Sequence, residues 1–176
     1  MNLQEYQQAA FDTAIYDDKY RVIYPSHGLS EECGEINGHF KRMMRDDNGV
    51  LTQERLDHIA LELGDIMWYL VVLARDLDIE LPHYSGEVVE VQPFDIQHKR
   101  LLRLQSLCAE LTEAPLDGAI NQRRYVLSRM LTFCIEQVGK VCSAFGFSFY
   151  DILDRNIAKL QKRAKNGTLH GSGDDR

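Results

Sequence analysis

ELGDIMWYLVVLA, Glu62 to Ala74, is the stretch whose reading decides the fold. Projected at about 100° per residue, Leu63, Met67, Leu70 and Ala74 continue a core stripe begun by Leu56 and Ile59. Leu61, Trp68, Val72 and Leu73 fill much of the remaining circumference. The pattern predicts a helix buried on most of its sides. Its only charges are Glu62 and Asp65, spaced i,i+3, with Tyr69 on the same side. Carboxylates in such surroundings are costly, and they end up protonated or paired with a cation.

A second acidic stretch lies upstream in GLSEECGEINGHF, Gly28 to Phe40. Leu29, Ile36, Phe40 and Met43 form its apolar stripe, Glu32, Glu35 and His39 line one flank, and Glu31 lies farther round. By itself an E-x-x-E spacing usually marks a solvated face. Two facing helices that each bring a carboxylate pair would instead suit a hard divalent ion, Mg²⁺ or else Mn²⁺. His39 could join them. The cysteines do not have zinc-ligand spacing.

Working outward, long stretches repeat apolar residues at helical spacing while β-branched alternation is scarce, so the expected fold is an all-α helical bundle. Helices are predicted over Leu3–Tyr16, from a cap near Ser26 to about Arg45, and from Thr52 or Gln53 to about Leu77. Three more follow at Ile96–Glu113, Ala119–Phe145 and Ser148–Ala164. Leu81–Asp95 contains two prolines and reads as an irregular connection, and the glycine-rich tail 166–176 reads as loop. The chain reads as one domain, 1–176, in which core helices 3–81 and 148–165 enclose a further helical segment 82–145. In that segment Glu110 and Glu113 echo the E-x-x-E spacing, and both a degenerate repeat and a plain insertion fit.

The formal charge of −7 disfavours nucleic acid as a partner. The longest strongly apolar run, Ile66–Ala74, is too short to span a bilayer, so no membrane partner is expected. Cys33, Cys108, Cys134 and Cys142 are scattered and, with no secretory pattern at the N-terminus, read as reduced thiols of a cytoplasmic protein.

The order E-E-x-x-E at Glu31–Glu35, then E-x-x-D at Glu62–Asp65, resembles the MazG-like all-α nucleoside triphosphate pyrophosphohydrolases. LQEYQQAAFDTAIY is similar to that family's opening helix. NIAKLQKRAKNGTLHGSGDDR is similar to the N-x-x-K-L-x-x-R closing segment of some bacterial and phage members. Together these cover more than half of the chain, while the segment Pro82–Ala144 is longer than such a protomer needs.

The resemblance implies hydrolysis of a (d)NTP to the monophosphate and pyrophosphate, with two or three Mg²⁺ ions held by Glu32, Glu35, Glu62 and Asp65. Glu31 or Glu35 would take the proton from the attacking water. Asn156 and Lys159, with Arg163, would contact substrate; Lys41 and Arg45 are further candidates for the distal phosphates. Tyr69 could orient substrate, whereas Trp68 reads as packing, and the tail GSGDDR could close over the site. The implied partners are the small-molecule substrate and further copies of the chain, as a homodimer or homotetramer. A purine such as dGTP is one candidate base. The alternatives are an all-α dUTPase- or dCTPase-type pyrimidine hydrolase, a non-catalytic nucleotide-sensing module and a helical scaffold.

Overall fold

The computed structural model describes residues 1–86, 88–113 and 120–170, leaving aside the side chains of 120–122. The expected all-α architecture is present: α1 Leu3–Phe11, α2 Ile23–Asp46, α3 Gln53–Asp76, α4 Phe94–Glu113, α5 Ile120–Phe145 and α6 Phe149–Lys165, with one 3₁₀ turn at Asp18–Tyr20. Among the described residues there is no strand. None of their helices is long and apolar enough to cross a membrane.

The all-round apolar character of α3 follows from its place at the centre. α1, α2, α5 and α6 all pack on it. Leu63, Ile66, Met67, Leu70, Val71, Val72, Leu73 and Ala74 are each 0 % exposed. α4 covers α2 and pairs with α5, so these two helices share one continuous apolar core with the rest. Glu110 and Glu113 are exposed there, and Glu110 accepts from Ser106 within its own helix.

α2 and α3, 24 residues each, form an antiparallel hairpin across the short connection Asp47–Thr52. Arg55 Nε donates to Asp47 Oδ2 at 2.8 Å, and the Thr52 hydroxyl accepts from the Arg55 backbone at 3.3 Å. The turn needs left-handed backbone at Asn48 and Gly49 (φ 53° and 77°), conformations that these two residue types adopt at little steric cost.

Two boundaries differ by three residues or more from the sequence expectation. α1 stops at Phe11 rather than Tyr16, because residues 12–22 fold back onto the C-terminal end of α3. The nearly buried Asp76 carboxylate accepts there from the Tyr16 hydroxyl (2.9 Å), Arg21 Nε (3.2 Å) and the Val22 backbone (2.9 Å). Ser26 is not the cap of α2. The helix starts three residues earlier, after Val22 at φ 67°, and the Ser26 hydroxyl donates to the Val22 carbonyl. Pro25 lies in the first turn, where its missing N–H leaves no bond unmade.

The connection before α4 is irregular as expected, and Leu77, Ile79 and Leu81 anchor it in the core. All four cysteines are free and buried. Cys33, Cys108 and Cys134 meet from three helices; thiol–thiol hydrogen bonds to Cys134 and Cys33, together with burial, push the Cys108 thiol well up.

Candidate metal centre

The hairpin register builds the site. Running α2 forwards against α3 backwards sets Gly28 against Tyr69, Glu32 beside Asp65, Glu35 beside Glu62 and His39 against His58. On each helix these residues recur at i,i+3 or i,i+4, so they form two facing stripes. Oxygens of Glu32, Glu35 and Glu62 lie within 4.8 Å of one another. Glu62 is 2 % exposed, Glu32 is half-buried and Glu35 reaches solvent, so the cluster opens on one side. Burial, then the neighbouring charges of Asp65, Glu62 and Glu35, together with a hydrogen bond shared with Glu62, push the Glu32 carboxyl up to about 9.

Asp65 is the end of a polar chain from two other helices. Tyr6 Oη on α1 donates to Asn156 Oδ1 (2.8 Å), Asn156 Nδ2 on α6 donates to Asp65 Oδ1 (2.7 Å), and Lys159 Nζ pairs with Asp65 Oδ2 (2.5 Å). This approach of α6 depends on Gly64, where an added Cβ would lie 2.9 Å from Asn156 Cβ. The fourth sequence-predicted ligand thus stands beside Glu32 with both oxygens engaged by α6, outside the tight trio.

A cleft opens next to the acids, with Tyr24, Glu32, Asp65, Trp68, Tyr69 and Arg163 in its wall. Trp68 is mainly a packing residue, since its Nε1 donates to the Ala10 carbonyl and the Thr13 hydroxyl, tying α1 to α3. Tyr69 is half-buried and faces the cleft; burial, then Tyr24 and Glu32, hold its phenol firmly protonated. Tyr24 in turn stacks on Tyr16, with ring centroids 4.6 Å apart.

Gly28 makes room for this wall. A Cβ there would fall 2.1 Å from the Tyr69 ring, which is already edged by Trp68 (centroids 5.0 Å) and Tyr24 (6.2 Å). Gly28→Ala should therefore lower thermal stability by about 1–3 kcal/mol and alter the near-ultraviolet circular dichroism of the tyrosines. Gly34→Ala, on the same helix but with nothing within 4 Å of an added Cβ, should raise stability by about 1 kcal/mol. Equal shifts in the two variants would show that Tyr69 does not need the space.

Of the residues singled out from sequence, the structure brings together Glu32, Glu35, Glu62, Asp65, Tyr69, Asn156, Lys159 and Arg163. Arg163 is buried at the cleft wall. Glu31 is exposed and outside the trio. Lys41 is exposed and is not in the cleft wall, and Arg45 pairs with Asp46. The segment GSGDDR lies outside the described residues. Sequence reasoning passed over Tyr6, Tyr24 and His58. The one sequence signal for His58 is its position i−4 from Glu62; its pairing with His39 comes from the hairpin register.

Fold and site together define an all-helical protein with a half-buried carboxylate cluster inside an antiparallel helical hairpin. The chain is 45 % identical over 87 residues to the Gene 37 protein of Mycobacterium phage L5, a match covering 46 % of this chain and 76 % of that protein, and it belongs to that protein's family. That name states no activity. No family profile and no solved structure matches the chain.

Proposed function

We propose that this protein is a Mg²⁺-dependent nucleoside triphosphate pyrophosphohydrolase that cuts between the α and β phosphates of a (d)NTP. The observation that carries this reading is the convergence of Glu32, Glu35 and Glu62, from two helices, within 4.8 Å. An all-carboxylate donor set fits Mg²⁺, or Mn²⁺ in its place. The crowding that pushes the Glu32 carboxyl up to about 9 is also what a divalent cation would relieve. When bound, two or three such ions neutralise the triphosphate and lower the pKa of a water molecule.

The chain's own groups have separable tasks in this reading. Glu35, the most exposed of the trio, is placed to take a proton from water at the open side. Lys159, which balances Asp65, and Arg163 at the cleft wall supply positive charge for phosphate. Tyr24 and Tyr69 offer aromatic surface to a base. Assembly into a homodimer or homotetramer, action on the nucleotide pool of a host cytoplasm and a purine substrate such as dGTP belong to the same proposal.

The test is a panel of common and modified triphosphates with Mg²⁺, the products being separated. Monophosphate plus pyrophosphate is expected; diphosphate plus phosphate would contradict the chemistry. Preference for dUTP or dCTP would move the reading to a pyrimidine hydrolase. Tight nucleotide binding without turnover would make the protein a sensor.

A further inference from the structure

The facing pairs of the hairpin continue one turn past the acids. His58 and Glu62 stand i,i+4 on α3 and project from one side of it. His39 meets them from α2: its Nε2 lies 3.6 Å from Glu62 Oε1. The two imidazoles stack with centroids 4.7 Å apart and 11° between their planes. One ligand atom from each of His39, His58 and Glu62 falls within 4.8 Å of the other two. His39 and Glu62 are buried and His58 is half-buried.

An ion pair explains His39 beside Glu62. The second imidazole, stacked on the first, brings a further nitrogen donor to the same end of the hairpin, and one ring has to turn for both in-plane lone pairs to meet at one ion. Two neutral imidazoles and a carboxylate are a donor set for borderline divalent ions of the d-block, zinc foremost. Mg²⁺ sheds water reluctantly and prefers oxygen, so it is a poor match for this end of the hairpin.

We propose that His39, His58 and Glu62 form a second cation position, selective for Zn²⁺ and its d-block neighbours over Mg²⁺. Glu62 is the residue shared between this position and the oxygen-only cluster of Glu32 and Glu35. Three protein donors leave coordination open to water, as in zinc sites that are not purely structural. The site stands on the hairpin geometry and does not depend on triphosphate hydrolysis.

The test uses Co²⁺ as a spectroscopic substitute for Zn²⁺, added to the full chain in excess Mg²⁺. One equivalent is expected to bind, with visible absorption several times stronger than that of the hexaaqua ion. Zn²⁺ should displace it, and more Mg²⁺ should not. Proton NMR of the wild-type Co²⁺ form should show paramagnetically shifted imidazole N–H resonances, a readout that needs no variant. His58→Gln, at a half-buried position, and His39→Gln should each weaken Co²⁺ binding by at least about 100-fold. Metal-free melting curves establish that both variants fold. Equal Co²⁺ affinity in wild type and both variants would overturn the site. So would an octahedral spectrum without shifted imidazole resonances in the wild type. A wild type that cleaves no triphosphate yet shows the imidazole-dependent spectrum keeps this site and discards the hydrolase reading; active hydrolysis without that spectrum does the reverse.

Discussion

The proposed Mg²⁺-dependent triphosphate turnover is expected to fall by at least about 1,000-fold in Glu62→Gln, with the helical circular dichroism unchanged. Glu62 is the most buried member of the acidic trio, and it belongs to both candidate metal-ligand groups of the hairpin. Its replacement is nearly isosteric, so packing is kept and only the charge is lost. Two electrostatic effects on the metal-free protein then oppose each other. The His39 imidazole loses an anionic neighbour at 3.6 Å, a separation beyond ordinary hydrogen bonding. Glu32 loses one of the three carboxylates that push it upward and keeps a hydrogen-bonding partner in the amide. Relief of crowding should win, and the metal-free melting temperature should rise by a few degrees while Mg²⁺ loses its stabilising effect. Opposite movement of stability and activity is the signature of a functional cluster. Wild-type turnover in the variant would remove Glu62 from the chemistry. A fall in melting temperature with turnover intact would make the residue structural.

The all-α class and the hairpin core were legible in the sequence because they depend on periodicity, which is local. The starts of α3 and α6 were legible for the same reason, and the structure makes Thr52 and Ser148 their caps, each hydroxyl accepting a backbone hydrogen bond from three residues ahead. The end of α1 was not. Tyr16 continues the helical pattern, yet its hydroxyl is taken by Asp76, 60 residues away. The engagement of Asp65 by Asn156 and Lys159 was equally hidden, since both partners lie more than 90 residues downstream. Periodicity put the carboxylates on the right faces. Only the antiparallel register says which of them meet, and that register also pairs His39 with His58, two residues with no common signal along the chain.

The metal-free protein should lose thermal stability as pH rises from about 5 to about 9, and Mg²⁺ should cancel or reverse that slope. In the unfolded chain Glu32 titrates near the ordinary value of 4.5, whereas in the fold it titrates at about 9. Between those values the folded protein holds a proton that the unfolded chain has released, so stability falls with increasing pH. The contribution is fully present below about 4.5 and is lost as pH climbs through about 9. Asp17 and Asp46, both held below the ordinary carboxylate range by hydrogen bonds from Lys19 and Arg45, act in the opposite sense. They do so only at more acidic pH, and both are exposed, so they do not counter Glu32 in this window. A divalent cation requires the ionised carboxylate and competes with the proton. The Mg²⁺-induced rise in melting temperature should therefore grow with pH, and Mg²⁺ binding near neutrality should release protons, seen as a dependence of the calorimetric heat on buffer ionisation enthalpy. Glu32→Gln should flatten the metal-free slope and abolish the proton release. A melting temperature that is level across this range without metal, together with a Mg²⁺ shift that is the same at each pH, would mean that the three carboxylates do not share one crowded site in solution.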